Sequence, residues 1–183
     1  MSQLTKIALQ YLGFPAVQYT GPNEGQTPEG FTCSGFIQFV LREAGIDVPN
    51  WHSNEFFDRF GILVHEGLQK SGDLVFESKY GLKPNHVEFY VSIDTLSVLL
   101  DTEDLRIPKE KISDFLATTN SDNFMLGCPG RDDSKIRLTE LERSIIIPNP
   151  KYNHLPQLYN INPIGYKRPA VLHPGKRYHK ILP

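Results

Sequence analysis

Cysteine is scarce in this chain, with two in 183 residues, Cys33 and Cys128. So few thiols exclude a disulfide-stapled scaffold, and two free thiols are expected. No CxxC pair or His/Cys cluster has zinc-ligand spacing, so neither a metal site nor a cofactor is expected. Long apolar runs are missing too: none approaches the roughly 18–20 residues that span a bilayer. The start, Met1-Ser2-Gln3-Leu4-Thr5-Lys6, lacks a basic stretch followed by a long apolar one. No secretory signal is therefore expected, which leaves cytoplasmic residence or export by a non-standard route. Acid is absent from residues 145–183, which carry +6 against −8 for the preceding 144 residues. What remains, at 39% hydrophobic and 22% charged residues, is the composition of a globular protein with one core.

The hydrophobic period places the elements. Leu4, Ile7, Ala8 and Tyr11 recur at helical spacing before Gly13. Phe14 to Gly30 reads as loop. A helix is predicted from Cys33 to Ala44, stopped by Gly45. A short one follows over Asn54–Phe60, with Ser53 as N-cap and no acid at the position that would complete a capping box. The pattern then turns to strands: Ile62–His65, Leu74–Phe76, Val87–Ile93, Leu96–Leu100, Phe124–Cys128 and Lys135–Leu138. Residues 102–122 interrupt them as an insertion with a short helix over Pro108–Leu116. Helices first and strands later argue an α+β fold. The division expected is a domain over 1–144 and an extension over 145–183. The part from Pro148 onward holds seven of the fourteen prolines, which excludes regular helix over most of it. Its apolar residues, such as Leu158, Tyr159 and Tyr166, suit an extended arm packed on the domain or on a neighbouring subunit of a homo-oligomer. Its basic charge is read as lying along acidic protein surface. Neither nucleic acid nor membrane is an expected partner.

The chemistry concentrates at Thr32-Cys33-Ser34-Gly35-Phe36. A cysteine in the first turn of a buried helix meets free N–H groups and the positive end of the macrodipole, both of which stabilise a thiolate. The small Ser34 and Gly35 let a substrate approach closely. Asn85-His86-Val87-Glu88-Phe89-Tyr90-Val91 puts a histidine at the mouth of an apolar strand. Together these suggest a nucleophile–base pair, Cys33 and His86. Alternation puts Glu88 on the same face as His86, where it either faces solvent or faces the cleft and favours a cationic substrate group. Asp73, in a Gly-Asp turn, reads as a structural hydrogen-bonding residue, and Cys128 as structural.

Five blocks, in order, resemble the NlpC-type cell-wall endopeptidases, a branch of the papain-like cysteine peptidases: Tyr19-Thr20-Gly21-Pro22, Phe31-Thr32-Cys33-Ser34-Gly35-Phe36, Ala44-Gly45-Ile46-Asp47-Val48-Pro49, Lys70-Ser71-Gly72-Asp73-Leu74-Val75-Phe76 and His86-Val87-Glu88-Phe89-Tyr90-Val91. They span about residues 5–101. The resemblance implies a papain-like fold, N-terminal helices packed on a small antiparallel sheet, and a cysteine hydrolase cleaving an amide bond in peptidoglycan stem peptides. It also implies substrate contacts from Tyr19 and Ser34. Two departures stand out: the family's Asp before the nucleophile is Thr32, and its Gly after His-Val is Glu88. The third catalytic position has two candidate alignments. One gives Asp101 as the residue orienting His86; the other puts Gly127 in the slot, with no side chain to do so. Two other functions remain open: an amidase or transpeptidase on another small amide or isopeptide, and a degenerate, non-catalytic binding domain of the same fold.

Overall fold

The computed structural model describes residues 2–17, 26–78, 83–104, 106–128, 135–141, 143–147, 157–161 and 163–169. In chain order the helices are α1 (Gln3–Gln10), α2 (Cys33–Glu43), α3 (Ser53–Arg59), α4 (Ile93–Leu100) and α5 (Lys109–Leu116). The strands are β1 (Gln26–Thr27), β2 (Gly30–Phe31), β3 (Ile62–Val64), β4 (Leu74–Glu77), β5 (His86–Ser92), β6 (Asn123–Gly127), β7 (Arg137–Glu140), β8 (Arg143–Ile147), β9 (Gln157–Ile161) and β10 (Pro163–Arg168). Six of these strands form one antiparallel sheet in the order β3-β10-β4-β5-β6-β7. The α+β class and the helices-on-sheet architecture hold.

Helix α2 is the central helix. Thr32 caps it, its hydroxyl accepting the Gly35 N–H at 3.1 Å. Phe36, Ile37, Val40 and Leu41 are fully buried, so one stripe of the helix is apolar. Gly45, at φ 78°, ends it in a left-handed turn that a side chain would strain, and the Ile46 N–H returns to the Leu41 carbonyl at 2.8 Å. The stripe lies on β5, where Phe36 meets Phe89 edge-to-face with ring centroids 6.1 Å apart. A chain of edge contacts through Tyr11, Phe31, Phe36 and Phe39 joins α1, β2 and α2 into the same core.

Two local expectations are corrected. Leu96–Leu100 is not a strand but the body of α4, which buries Leu96 and Leu99 and leaves Val98 exposed. A short apolar run fits either period, and here burial at i and i+3 selects the helix. In α3 the N-cap is His52 rather than Ser53, and the Glu55 carboxylate accepts the His52 N–H at 3.1 Å. The acid required by a capping box is thus present, one residue earlier in register than expected.

Beyond residue 144 the chain continues as β8 and β9, a two-stranded unit, and then β10. β10 lies inside the main sheet, antiparallel to β3 on one side and β4 on the other. Arg168 anchors it: Nε and one terminal nitrogen each donate to Asp73 at 2.9 Å, and the terminal nitrogen also reaches the Leu68 carbonyl at 3.0 Å. Asp73 is buried, and its carboxylate also accepts the Lys70 N–H at 2.9 Å. This is the structural role its Gly-Asp turn implies. Arg168→Ala leaves that buried carboxylate without its cation, and we expect a loss of about 2 kcal/mol. A urea unfolding curve at neutral pH measures it; an unchanged midpoint would show the clamp to be energetically idle.

Candidate active site

Cys33 is the first residue of α2 and His86 the first of β5. Packing α2 on β5 brings the two side chains close enough to interact electrostatically. Both keep a route to solvent: Cys33 is half-buried and the His86 side chain is 17% exposed. Burial works against charge on the sulfur. The His86 hydrogen bond and positive charge, with the Ser34 and Val87 N–H groups, more than offset it and hold the thiol below its usual range. Burial likewise works against an imidazolium, but Cys33 and Glu88 together raise His86 well above the usual histidine range. The arrangement favours a thiolate–imidazolium pair.

One ring nitrogen of His86, Nε2, is taken by Glu88. His86 Nε2 lies 2.7 Å from Glu88 Oε1, and that carboxylate is fully buried. This corrects the cleft-facing reading of Glu88: it contacts the imidazole and is sealed from any substrate. It also bears on the third position. Asp101 is the exposed C-cap residue of α4. The groups that act on the imidazole are Cys33 and Glu88, and Asp101 is not one of them, so the structure does not bring Asp101 to the base. Gly127, the alternative occupant, is the last residue of β6 and lies against Glu88. The signal for Glu88 was present in the sequence as the two-residue spacing from His86, but its hydrogen bond was not.

Ser34 is buried in the first turn of α2, directly after Cys33. Tyr19 lies outside the described residues. Cys128 is buried, its thiol donating to the Phe31 carbonyl at 3.2 Å. Burial pushes that thiol far up, and the nearby charges of Cys33 and Glu88 push it further. Both cysteines are free. Among the described residues no group of three His, Cys, Asp or Glu could hold a metal ion.

The model of the NlpC/P60 family matches residues 22–129, more than half of the chain and inclusive of both Cys33 and His86. This chain belongs to the NlpC/P60 family. A probable endopeptidase p60 from Listeria innocua is 36% identical over 67 residues, covering 37% of this chain and 14% of the relative. Its counterpart from Listeria monocytogenes is also 36% identical over 67 residues. The matched segment is thus about a seventh of the curated relatives' length. Among solved structures, an NlpC/P60 family protein from Bacillus cereus superposes with TM-score 0.54 at 20% identity, covering 91% of this chain and 39% of that one. NlpC2 from Trichomonas vaginalis gives 0.53 at 15% identity, covering 90% of this chain and 44% of that one. The NlpC/p60 domain of the peptidoglycan hydrolase SagA gives 0.50 at 17% identity, covering 91% and 96%. At these identities the superpositions speak for the fold alone. In the family's terms the block around Cys33 keeps its Cys-Ser-Gly core, while Thr32 supplies the helix cap without a carboxylate's charge.

The depressed Cys33 thiol sets a pH signature. Iodoacetamide should alkylate Cys33 at lower pH than it does an ordinary thiol, with the rate falling as pH drops through the lowered pKa. In His86→Ala the rate should instead climb through the ordinary thiol range near pH 8.5. Cys128 should stay unlabelled in the folded protein. Peptide mapping by mass spectrometry reads both thiols, and identical wild-type and His86→Ala profiles would remove the coupling.

Proposed function

We propose that this protein is a cysteine hydrolase that cleaves an amide bond in peptidoglycan stem peptides, with Cys33 as nucleophile and His86 as base. The observation that carries the reading is the Cys33–His86 contact at the start of α2, with the thiol lowered and the imidazole raised. The substrate class follows from family membership and from the relatives, which include a probable endopeptidase and a peptidoglycan hydrolase.

The residues divide the work as follows. The Cys33 thiolate attacks the scissile carbonyl carbon, and a sulfur–carbon bond forms as the carbonyl electrons move to oxygen. The α2 N-terminus directs its positive end at the developing oxyanion. The imidazolium of His86 gives its proton to the leaving amine as the carbon–nitrogen bond breaks, leaving an acyl-enzyme and a neutral imidazole. A water molecule then gives a proton to His86 as its oxygen attacks the thioester carbon; the sulfur–carbon bond breaks, its electron pair returning to Cys33 as thiolate beside the imidazolium, and the acid product departs. Ser34 and Gly35, small residues following the nucleophile, leave room for the acyl group. Tyr19 is assigned a substrate contact by the family pattern.

Digestion of purified muropeptides, read by mass spectrometry, tests the proposal. Wild type should release a new free amine and carboxylate, Cys33→Ala should abolish release, and His86→Ala should slow it by about 10²–10⁴-fold. Covalent labelling of Cys33 without muropeptide cleavage would overturn the substrate assignment. Transfer of the acyl group to an added amine in preference to water would make the enzyme a transpeptidase.

A further inference from the structure

Gly127 is a glycine without a backbone reason. Its φ is not in the left-handed region, so an ordinary residue fits its main chain. What it lacks is space. A Cβ built there would lie 2.9 Å from Glu88 Cγ and 3.2 Å from Glu88 Cβ. The register explains this: Phe89 pairs with Leu126, which sets Glu88 opposite Gly127 on the same face of neighbouring strands. The Glu88 chain fills the volume that a β6 side chain would otherwise occupy and reaches two residues back to His86 Nε2 at 2.7 Å.

We propose that Glu88 is the positioning residue of His86, supplied from the base's own strand into the space that Gly127 leaves open on β6. The inference rests on the Cys33–His86 reading above. A carboxylate on Nε2 fixes that nitrogen as the proton-bearing one and leaves Nδ1 facing the sulfur. It also holds the ring against rotation. Among the described residues the titratable groups around the imidazole are Cys33 on α2, Glu88 on β5, Glu77 on β4, paired with His86 in register, and Cys128 just past β6. Glu88 is the carboxylate with the direct bond.

NMR titration of the His86 imidazole in a Cys33→Ala background isolates this effect from the thiol. Glu88→Gln preserves shape and removes charge, and should lower the His86 pKa by at least about one unit. It should also weaken the preference for the Nε2-protonated tautomer. Gly127→Ala forces the Glu88 side chain aside and should move both readouts in the same direction by less; it decides the matter should Glu88→Gln not fold. A His86 titration and tautomer unchanged in both variants would overturn the proposal. The Cys33 alkylation profile separates the two claims. An ordinary, His86-independent thiol with a Glu88-dependent His86 titration would sink the hydrolase reading and keep the positioning; the converse would keep the pair and discard Glu88.

Discussion

The docking of α2 on β5 is the constraint on which the rest depends. The helix presents a buried apolar stripe, and β5 offers Val87, Phe89 and Val91, all fully buried. Large apolar side chains on both partners meet along that seam, so packing sets the register between them. Because Cys33 and His86 each stand at the first position of their element, the same register delivers sulfur to imidazole. The chemistry is thus attached to the ends of two rigid bodies whose relative position is fixed by the core between them. Precision at the site comes from elements, not loops.

The electrostatics of the site follow from a buried carboxylate. An ionised Glu88 deep in protein would be costly alone, and the imidazolium makes its burial tenable. The imidazolium in turn supports the thiolate. The site thus runs sulfur, ring, carboxylate, and each member is placed by a different local rule. Cys33 follows the Thr32 cap, His86 the mouth of its strand, and Glu88 the two-residue alternation that keeps it on the His86 face. Cys128, buried among apolar neighbours a short way off, shows the same thiol chemistry driven in the opposite direction by the lack of such partners.

Local patterns made much of this legible. The cap, helix and glycine stop around Cys33 are contiguous in sequence, as are the Gly72-Asp73 turn and the alternation from His86 onward. The family's motif order supplied the architecture. What escaped the sequence was non-local or ambiguous in period. Leu96–Leu100 suits either strand or helix until the surface it covers is known. Arg168 is 95 residues from its partner Asp73, and nothing in the Pro-rich stretch signals that Pro163–Arg168 belongs inside the sheet. At the third position, both sequence candidates looked to residues after the base strand, whereas the imidazole's partner stands on that strand itself. Gly127, the residue of one alignment, lies against Glu88, whose side chain fills the space beside it.

The interior place of β10 has a consequence for how the molecule comes together. Until Pro163–Arg168 arrives, β3 and β4 have no common neighbour, and β4 offers a row of unsatisfied amides and carbonyls along one side. Closing that gap requires a contact roughly a hundred residues long in chain separation, the slow kind in folding. The middle of the sheet is therefore completed by one of the last described stretches of the chain.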